Sequence, residues 1–134
     1  MILITQGMHS LVNENNKYAV IGVSKNPEKY GHRVFKDLLG AGWIVYPVNP
    51  KESEILGQKV YPKLLNIDEK IDVVIFVVPP KVTLEVLNEV KEIGIKNVWL
   101  QPGSESKEAI EYCKENEINC IHDACIMIER KNNG

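Results

Sequence analysis

Val20-Ile21-Gly22-Val23-Ser24-Lys25-Asn26-Pro27-Glu28-Lys29-Tyr30-Gly31-His32-Arg33 carries a β-branched apolar run into glycine, serine and proline, and out again into an amphipathic segment. A buried strand that ends this way and feeds a helix leaves backbone N–H groups and the positive end of a helix dipole free to meet an anion. Lys25, Lys29, His32 and Arg33 concentrate cationic donors in that stretch, although the whole chain carries a net charge of −2. The excess is local, which suits a small phosphorylated ligand and argues against a nucleic-acid backbone.

Working outward, apolar runs of similar length recur at Trp43 to Val48, Asp72 to Val78, Asn97 to Gln101 and Ile118 to His122, and the first begins at Tyr18 and ends at Val23. Short, near-continuous apolar runs suit strands buried on both faces of a parallel sheet. Helical patterns lie between them. In Arg33 to Gly42, Val34, Leu38 and Ala41 share a stripe and Gly42 stops the helix. In Lys81 to Gly94, Pro80 opens the segment, Val82, Val86, Val90 and Ile93 share a face, and Gly94 closes it. In Ser104 to Asn116, Ser104 is the expected N-cap, Lys107 and Glu111 are spaced for an ion pair, and Ala109, Ile110 and Cys113 face inward. Lys51 to Ile71 is less regular, with a turn at Gly57, a short extension at Lys59 to Tyr61 and a brief helix near Lys63 to Ile67.

This order predicts an α/β doubly wound, five-stranded parallel sheet with strand order 3-2-1-4-5 and helices on both faces. Ligands of such sheets bind outside the carboxyl ends of the strands where the order reverses, here expected between the turns at Gly22 and Gln101. A chain of 134 residues, 44% hydrophobic and 25% charged, reads as one domain over residues 17–134 behind an N-terminal extension of residues 1–16, with frayed ends through about Asn16 and from about Lys131. Met1 to Lys17 has neither the basic lead of a signal peptide nor the length of a membrane span, so a cytoplasmic protein without membrane contact is expected. Cys113, Cys120 and Cys125 are an odd count, read as free thiols.

Gly22 does not complete a dinucleotide fingerprint. Ser24 stands where the second glycine belongs, and Gly31 comes too late. After the second strand, where NAD enzymes offer a carboxylate to the ribose hydroxyls, the chain has Asn49-Pro50-Lys51, an amide and a cation better suited to a phosphorylated ribose. Gly22 and Gly31 also read as plain turn formers, and His32 either as a ligand contact or as an ordinary helix-start residue. Cys120, His122 and Cys125 are spaced for a metal triad, but spacing alone is weak evidence, buried strand thiols are the better account, and no metal is assigned. No nucleophile elbow, P-loop lysine or paired carboxylates are found, so no catalytic residue is assigned.

Val20-Ile21-Gly22-Val23-Ser24, Val45-Tyr46-Pro47-Val48-Asn49-Pro50, Ile55-Leu56-Gly57 followed by Tyr61-Pro62, Pro79-Pro80, Val98-Trp99-Leu100-Gln101-Pro102-Gly103 and Asp123-Ala124-Cys125-Ile126-Met127-Ile128-Glu129 form an ordered set. On these segments the chain, from about Lys17 to Arg130, resembles the small stand-alone CoA-binding proteins, whose domain is similar to the N-terminal CoA-binding domain of the succinyl-CoA synthetase α subunit. The resemblance implies a Rossmann-like domain that binds coenzyme A, or an acyl-CoA, through its ADP part. It implies that Gly22, Val23, Ser24 and Lys25 line the diphosphate, that Tyr30 and Gly31 shape the helix entry, and that Asn49, Pro50 and Lys51 lie near the adenosine phosphate. Val78, Pro79 and Pro80 then form an apolar wall, and Gln101, Pro102 and Gly103 close the pocket. Lys25, Lys29, His32 and Arg33 are expected to donate to phosphates. The synthetase's phosphorylated histidine lies in a second domain absent here, and His9, His32 and His122 have no comparable context.

The expectation is therefore non-catalytic CoA binding. Its rivals are a nucleotide- or NAD-dependent enzyme using the same crevice, and a CoA-sensing subunit serving a protein partner; a homodimer is also open. Gly22→Val is expected to abolish binding and spare the fold.

Overall fold

The computed structural model describes residue 8 and residues 10–133; His9 lies outside the described residues. Five short apolar segments pair in parallel: β1 (Lys17–Ile21), β2 (Ile44–Val48), β5 (Val73–Phe76), β6 (Asn97–Leu100) and β7 (Asn119–Ile121). Val20 sits opposite Pro47 on one side and Ile75 on the other, so β1 lies inside the sheet. The order is β2-β1-β5-β6-β7. Beyond β2, Tyr61 forms a parallel bridge to Val48, with Tyr61 N donating to Pro47 O at 2.9 Å and Asn49 N donating to Tyr61 O at 3.0 Å. Counting that extension as the third strand position gives the expected 3-2-1-4-5, followed by β7; the five strands alone run 2-1-3-4-5.

Alternate residues of each strand face opposite cores, as the two-residue strand period requires. Val20, Val45, Ile75, Trp99 and Ile121 pack with Val34, Phe35 and Leu38 of α1 (Tyr30–Gly40) and with Ile126 of α4 (Ile126–Asn133). Ala19, Val48, Val74, Phe76, Val98 and Leu100 pack with Leu87 and Val90 of α2 (Pro80–Ile93) and with Ala109 and Cys113 of α3 (Lys107–Glu115). Both faces are thus dry, which is why the strands read as continuous apolar runs.

Several details depart from the sequence reading. On α1, Phe35 joins the buried stripe while Ala41 is exposed at the helix end. Of the expected face of α2, Val90 is buried, but Thr83 and Leu87 lie inside with it in place of Val82 and Val86, and Ile93 is exposed; the Thr83 hydroxyl donates to Ser104 O at 2.9 Å, so a polar residue is tolerated inside. Ser106, not Ser104, caps α3, its hydroxyl accepting from Ala109 N at 3.0 Å. Gly57 does turn the chain, but within a hairpin of β3 (Glu54–Ile55) and β4 (Gln58–Lys59), and the brief helix shrinks to a 3-10 turn at Leu64–Asn66.

Specific contacts hold the chain near both ends of the described residues. Tyr18 stacks on Trp43, ring centroids 4.6 Å apart, and its hydroxyl donates to the carbonyl of the buried Leu11. At the other end Arg130 of α4 grips Asp37 of α1 with both arms of its guanidinium, at 2.8 and 3.0 Å. That bidentate pair raises the Arg130 pKa above its ordinary value, through hydrogen bonding first and the opposite charge next.

Candidate functional site

The chain leaves β1 toward β2 and returns to place β5 on the other side of β1, so the strand order reverses between β1 and β5. The crevice therefore opens between Gly22 and Val77–Pro80, with Gln101 one strand farther away than expected because β5 intervenes. Gly22 ends β1 with φ +98°, its N–H donating to Val48 O at 3.1 Å. A Cβ there would overlap Val77 O and sit 2.5 Å from Val78 Cγ1. Gly22→Val thus strikes the backbone of β5 as well as the ligand space, which corrects the expectation that the fold would be spared. Gly31, in the first turn of α1, meets the same loop: its Cβ would overlap the Gly22 carbonyl oxygen. It does the work of the helix-packing glycine of a dinucleotide fingerprint from a later position in sequence.

The loop after Gly22 is held by side chains from two other elements. Asn49 Nδ2, just past β2, donates to Val23 O at 2.7 Å, while Asn49 Oδ1 accepts from Lys51 N at 2.7 Å. His32 Nδ1 lies 2.8 Å from Ser24 O, and since a carbonyl only accepts, the proton sits on Nδ1. The Ser24 hydroxyl accepts from Asn26 N at 3.1 Å. The amides of Val23, Ser24 and Lys25 find no protein acceptor among the described residues. A run of free amides beside the start of a helix is a cradle for an anion.

Beside this loop lies a groove of about 560 Å³ lined by Gly22, Ser24, Lys29, Tyr30, Gly31, Val77, Val78, Pro79, Pro80, Pro102, Gly103 and Ser104. Its walls are locked to each other, because the buried Ser104 hydroxyl accepts from Val78 N at 3.0 Å. Pro80 begins α2, where a missing N–H costs nothing. Val77 and Ser104 were not among the expected site residues; the apolar β5 run and the proximity of Ser104 to Pro102-Gly103 were the available signals.

Gln101 is wholly buried and lies behind the groove. Its Nε2 donates to the Tyr30 hydroxyl at 2.6 Å and to Cys125 Sγ at 3.4 Å, and its Oε1 accepts from Ile126 N at 2.7 Å. The Tyr30 hydroxyl lies 3.3 Å from Cys125 Sγ. Burial, then the sulfur acceptor, pushes the Tyr30 phenol well above its ordinary range. For Cys125 burial alone would raise the thiol, but hydrogen bonds from Tyr30, Gln101 and the amides of Ile128 and Met127 outweigh it and hold the pKa below the ordinary thiol value.

The remaining expected residues are placed as follows. Lys29 lines the groove, whereas Lys25 is exposed and paired with Glu52 at 3.7 Å, and Pro50 and Lys51 are exposed past β2. Val23 is buried in the core, so it contributes main chain alone. Arg33 points to a separate hollow with Lys36, Met127 and Arg130. His32 and Asn49 spend their described polar contacts on the loop. Cys120 packs beside Cys113, and their shared hydrogen bond raises the Cys120 pKa, while Cys125 turns to Tyr30 and His122 pairs with Asp123. The three residues spaced for a triad, Cys120, His122 and Cys125, thus each turn to a different partner. Another hollow, of about 380 Å³, lies at the opposite ends of the strands near Ile71, Asp72 and Asn97, away from the free amides. Among the described residues no helix is long and apolar enough to cross a membrane.

The family model described as the CoA binding domain matches residues 16–131. The α subunit of acetate-CoA ligase (ADP-forming) II from Pyrococcus furiosus is 36% identical over 121 residues, which cover 82% of this chain and 26% of that protein. An acetate-CoA ligase (ADP-forming) from Methanocaldococcus jannaschii is 37% identical over 103 residues, 14% of its length, so the chain spans only a small part of either ligase. YneT of Bacillus subtilis, an uncharacterized protein, is 32% identical over 88% of this chain and 87% of its own. A hypothetical protein from Pyrococcus horikoshii superposes with a TM-score of 0.89 at 36% identity, covering 95% of this chain and 89% of that one. With a glycine-cornered groove, free loop amides and a domain match over nearly the whole sequence, the chain belongs to the CoA-binding domain family.

Proposed function

We propose that the chain binds coenzyme A, or an acyl-CoA, with the diphosphate on the amides of Val23, Ser24 and Lys25 and the pantetheine along the Val77–Pro80 wall, and that it carries out no chemistry of its own. The observation that carries this reading is the set of loop amides without protein acceptors at the mouth of an apolar groove, in a chain of this family. The groove fits such a ligand in kind: main-chain donors at one end for phosphates, then valine, proline and glycine for the arm. Lys29 stands at the groove and Lys51 past β2, where each would meet a phosphate; Lys25 would first leave Glu52. Asn49 offers no carboxylate to a ribose diol, which disfavours NAD. A cytoplasmic location follows from the reading of free thiols and from a cofactor of central metabolism.

The ligases to which the chain is similar are much longer, and two of them are named as α subunits. This favours a second reading, in which the chain presents its ligand to a partner that supplies the chemistry. Calorimetry with CoA and NAD tests the first reading: CoA should bind and weaken as salt rises, and tight NAD binding with no CoA signal sinks it. A pull-down whose yield depends on added CoA tests the second.

A further inference from the structure

We propose that Asn49 and His32 are positioning residues that set the diphosphate cradle by taking two successive carbonyls of the loop out of the ligand's way. The inference rests on the CoA reading and deepens it. In a planar trans peptide the C=O and the following N–H point in opposite directions. Asn49 Nδ2 holds Val23 O at 2.7 Å, so the Ser24 N–H is directed away from Asn49. His32 Nδ1 holds Ser24 O at 2.8 Å, so the Lys25 N–H is directed away from His32. Left loose, each peptide could rotate and present a carbonyl oxygen to an approaching phosphate, which would repel it. Fixed, the two units present donors only.

The two clasps come from different elements, the end of β2 and the first turn of α1, and meet on adjacent residues of one loop. Each is insulated for its task. His32 is 6% exposed, and the other end of the Asn49 amide is engaged by Lys51 N. The position that reads a ribose diol in NAD enzymes is thereby occupied by a side chain with both amide ends turned to protein. Recognition of the diphosphate through main chain and loss of the diol reader become one device.

The test uses Asn49→Asp, which keeps the shape and the acceptor for Lys51 N but removes the donor to Val23 O, together with His32→Ala and His32→Asn. The Asn amide nitrogen sits near the place of His Nδ1 and restores a donor. Affinities for CoA, ADP and pantetheine are measured by calorimetry, and folding by thermal melting. Asn49→Asp and His32→Ala should weaken CoA and ADP about tenfold or more, as loss of oriented charge-assisted contacts implies. Pantetheine binding should stay within about twofold of the parent value, and His32→Asn should recover most of the loss, neither of which a merely structural role produces. Should either first variant fail to fold, the parent decides: on saturation with ADP the amide resonances of Ser24 and Lys25 must shift, and unmoved resonances overturn the proposal. Folded Asn49→Asp and His32→Ala proteins that bind CoA as the parent does overturn it too. Failure of the parent to bind CoA at all would instead remove the CoA reading itself.

Discussion

Gly31 faces the carbonyl of Gly22 across a gap that holds no Cβ, so the first turn of α1 rests directly on the end of β1. The contact joins the helix that borders the groove to the strand end that carries the loop. Neither glycine is replaceable for the same reason: Gly22 needs a positive φ, whereas Gly31 needs only space.

Gly31→Ala is therefore expected to destabilise the fold by about 1–3 kcal/mol, the usual range for overpacking at a rigid contact, and to weaken CoA binding by displacing the loop. Urea melts and calorimetry on one preparation check both. An alanine variant of parental stability would show that α1 can move off β1 at no cost.

Tyr30→Phe removes a hydrogen-bond donor from Cys125 without emptying the space behind the groove. The reactive form of a thiol is the thiolate, and hydrogen bonds to it hold the folded pKa of Cys125 below its ordinary value. Loss of one donor raises that pKa, so the alkylation rate of Cys125 with iodoacetamide, followed against pH, should have its midpoint moved to higher pH in the variant. An unmoved midpoint would falsify the assignment of Tyr30 as donor.

Ser104→Ala leaves the amide of Val78 without its acceptor in a half-buried wall of the groove. A cost of about 1–3 kcal/mol is expected, with faster exchange of the Val78 amide in hydrogen-exchange measurements. Ser106→Ala, at the cap of α3, should cost about 1 kcal/mol and leave CoA affinity alone.

Lys51→Ala tests the phosphorylated ribose. Lys51 is exposed, so its contribution is screened, and the variant should lose no more than about fivefold in CoA affinity and still less for dephospho-CoA. Equal losses for both ligands would move the ribose phosphate to Lys25 or Lys29.

The sheet was legible because each strand is buried on both faces and so spells itself as an unbroken apolar run, as in Val73–Phe76. The stripe of α2 was legible only at Val90: Val82 and Val86 adjoin Thr83 and Leu87 on the helix, and the hydrogen bond from Thr83 to Ser104 O explains why the residue with the hydroxyl lies inside. Helix α4 went unread because Glu129, Arg130 and Lys131 follow its apolar start too quickly to show a period; its anchor is the distant Asp37. Within the candidate site, Gly22, Tyr30, Gly31, Val78 and the Pro79-Pro80 pair were named from turn chemistry and from the resemblance, and the structure gathers them on one groove. Asn49, His32 and Gln101 were named as ligand contacts; their described polar contacts are to other protein groups, 8 residues away for His32, 26 for the Asn49 amide nitrogen and 71 for Gln101 to Tyr30, pairings that no local pattern encodes.

The bridge of Tyr61 to Val48 has a bearing on how this protein behaves at high concentration. An open strand edge is a template on which another chain can add itself. Along β2 that template is spoiled twice, since Pro47 has no N–H to offer and the carbonyl of Pro47 and the amide of Asn49 are already spent on Tyr61. The other edge, β7, is three residues long. Strand-by-strand growth into aggregates has little to grip at either side, so the rim bearing the groove can stay open to solvent and to ligand while the sheet beneath it remains closed to its own kind.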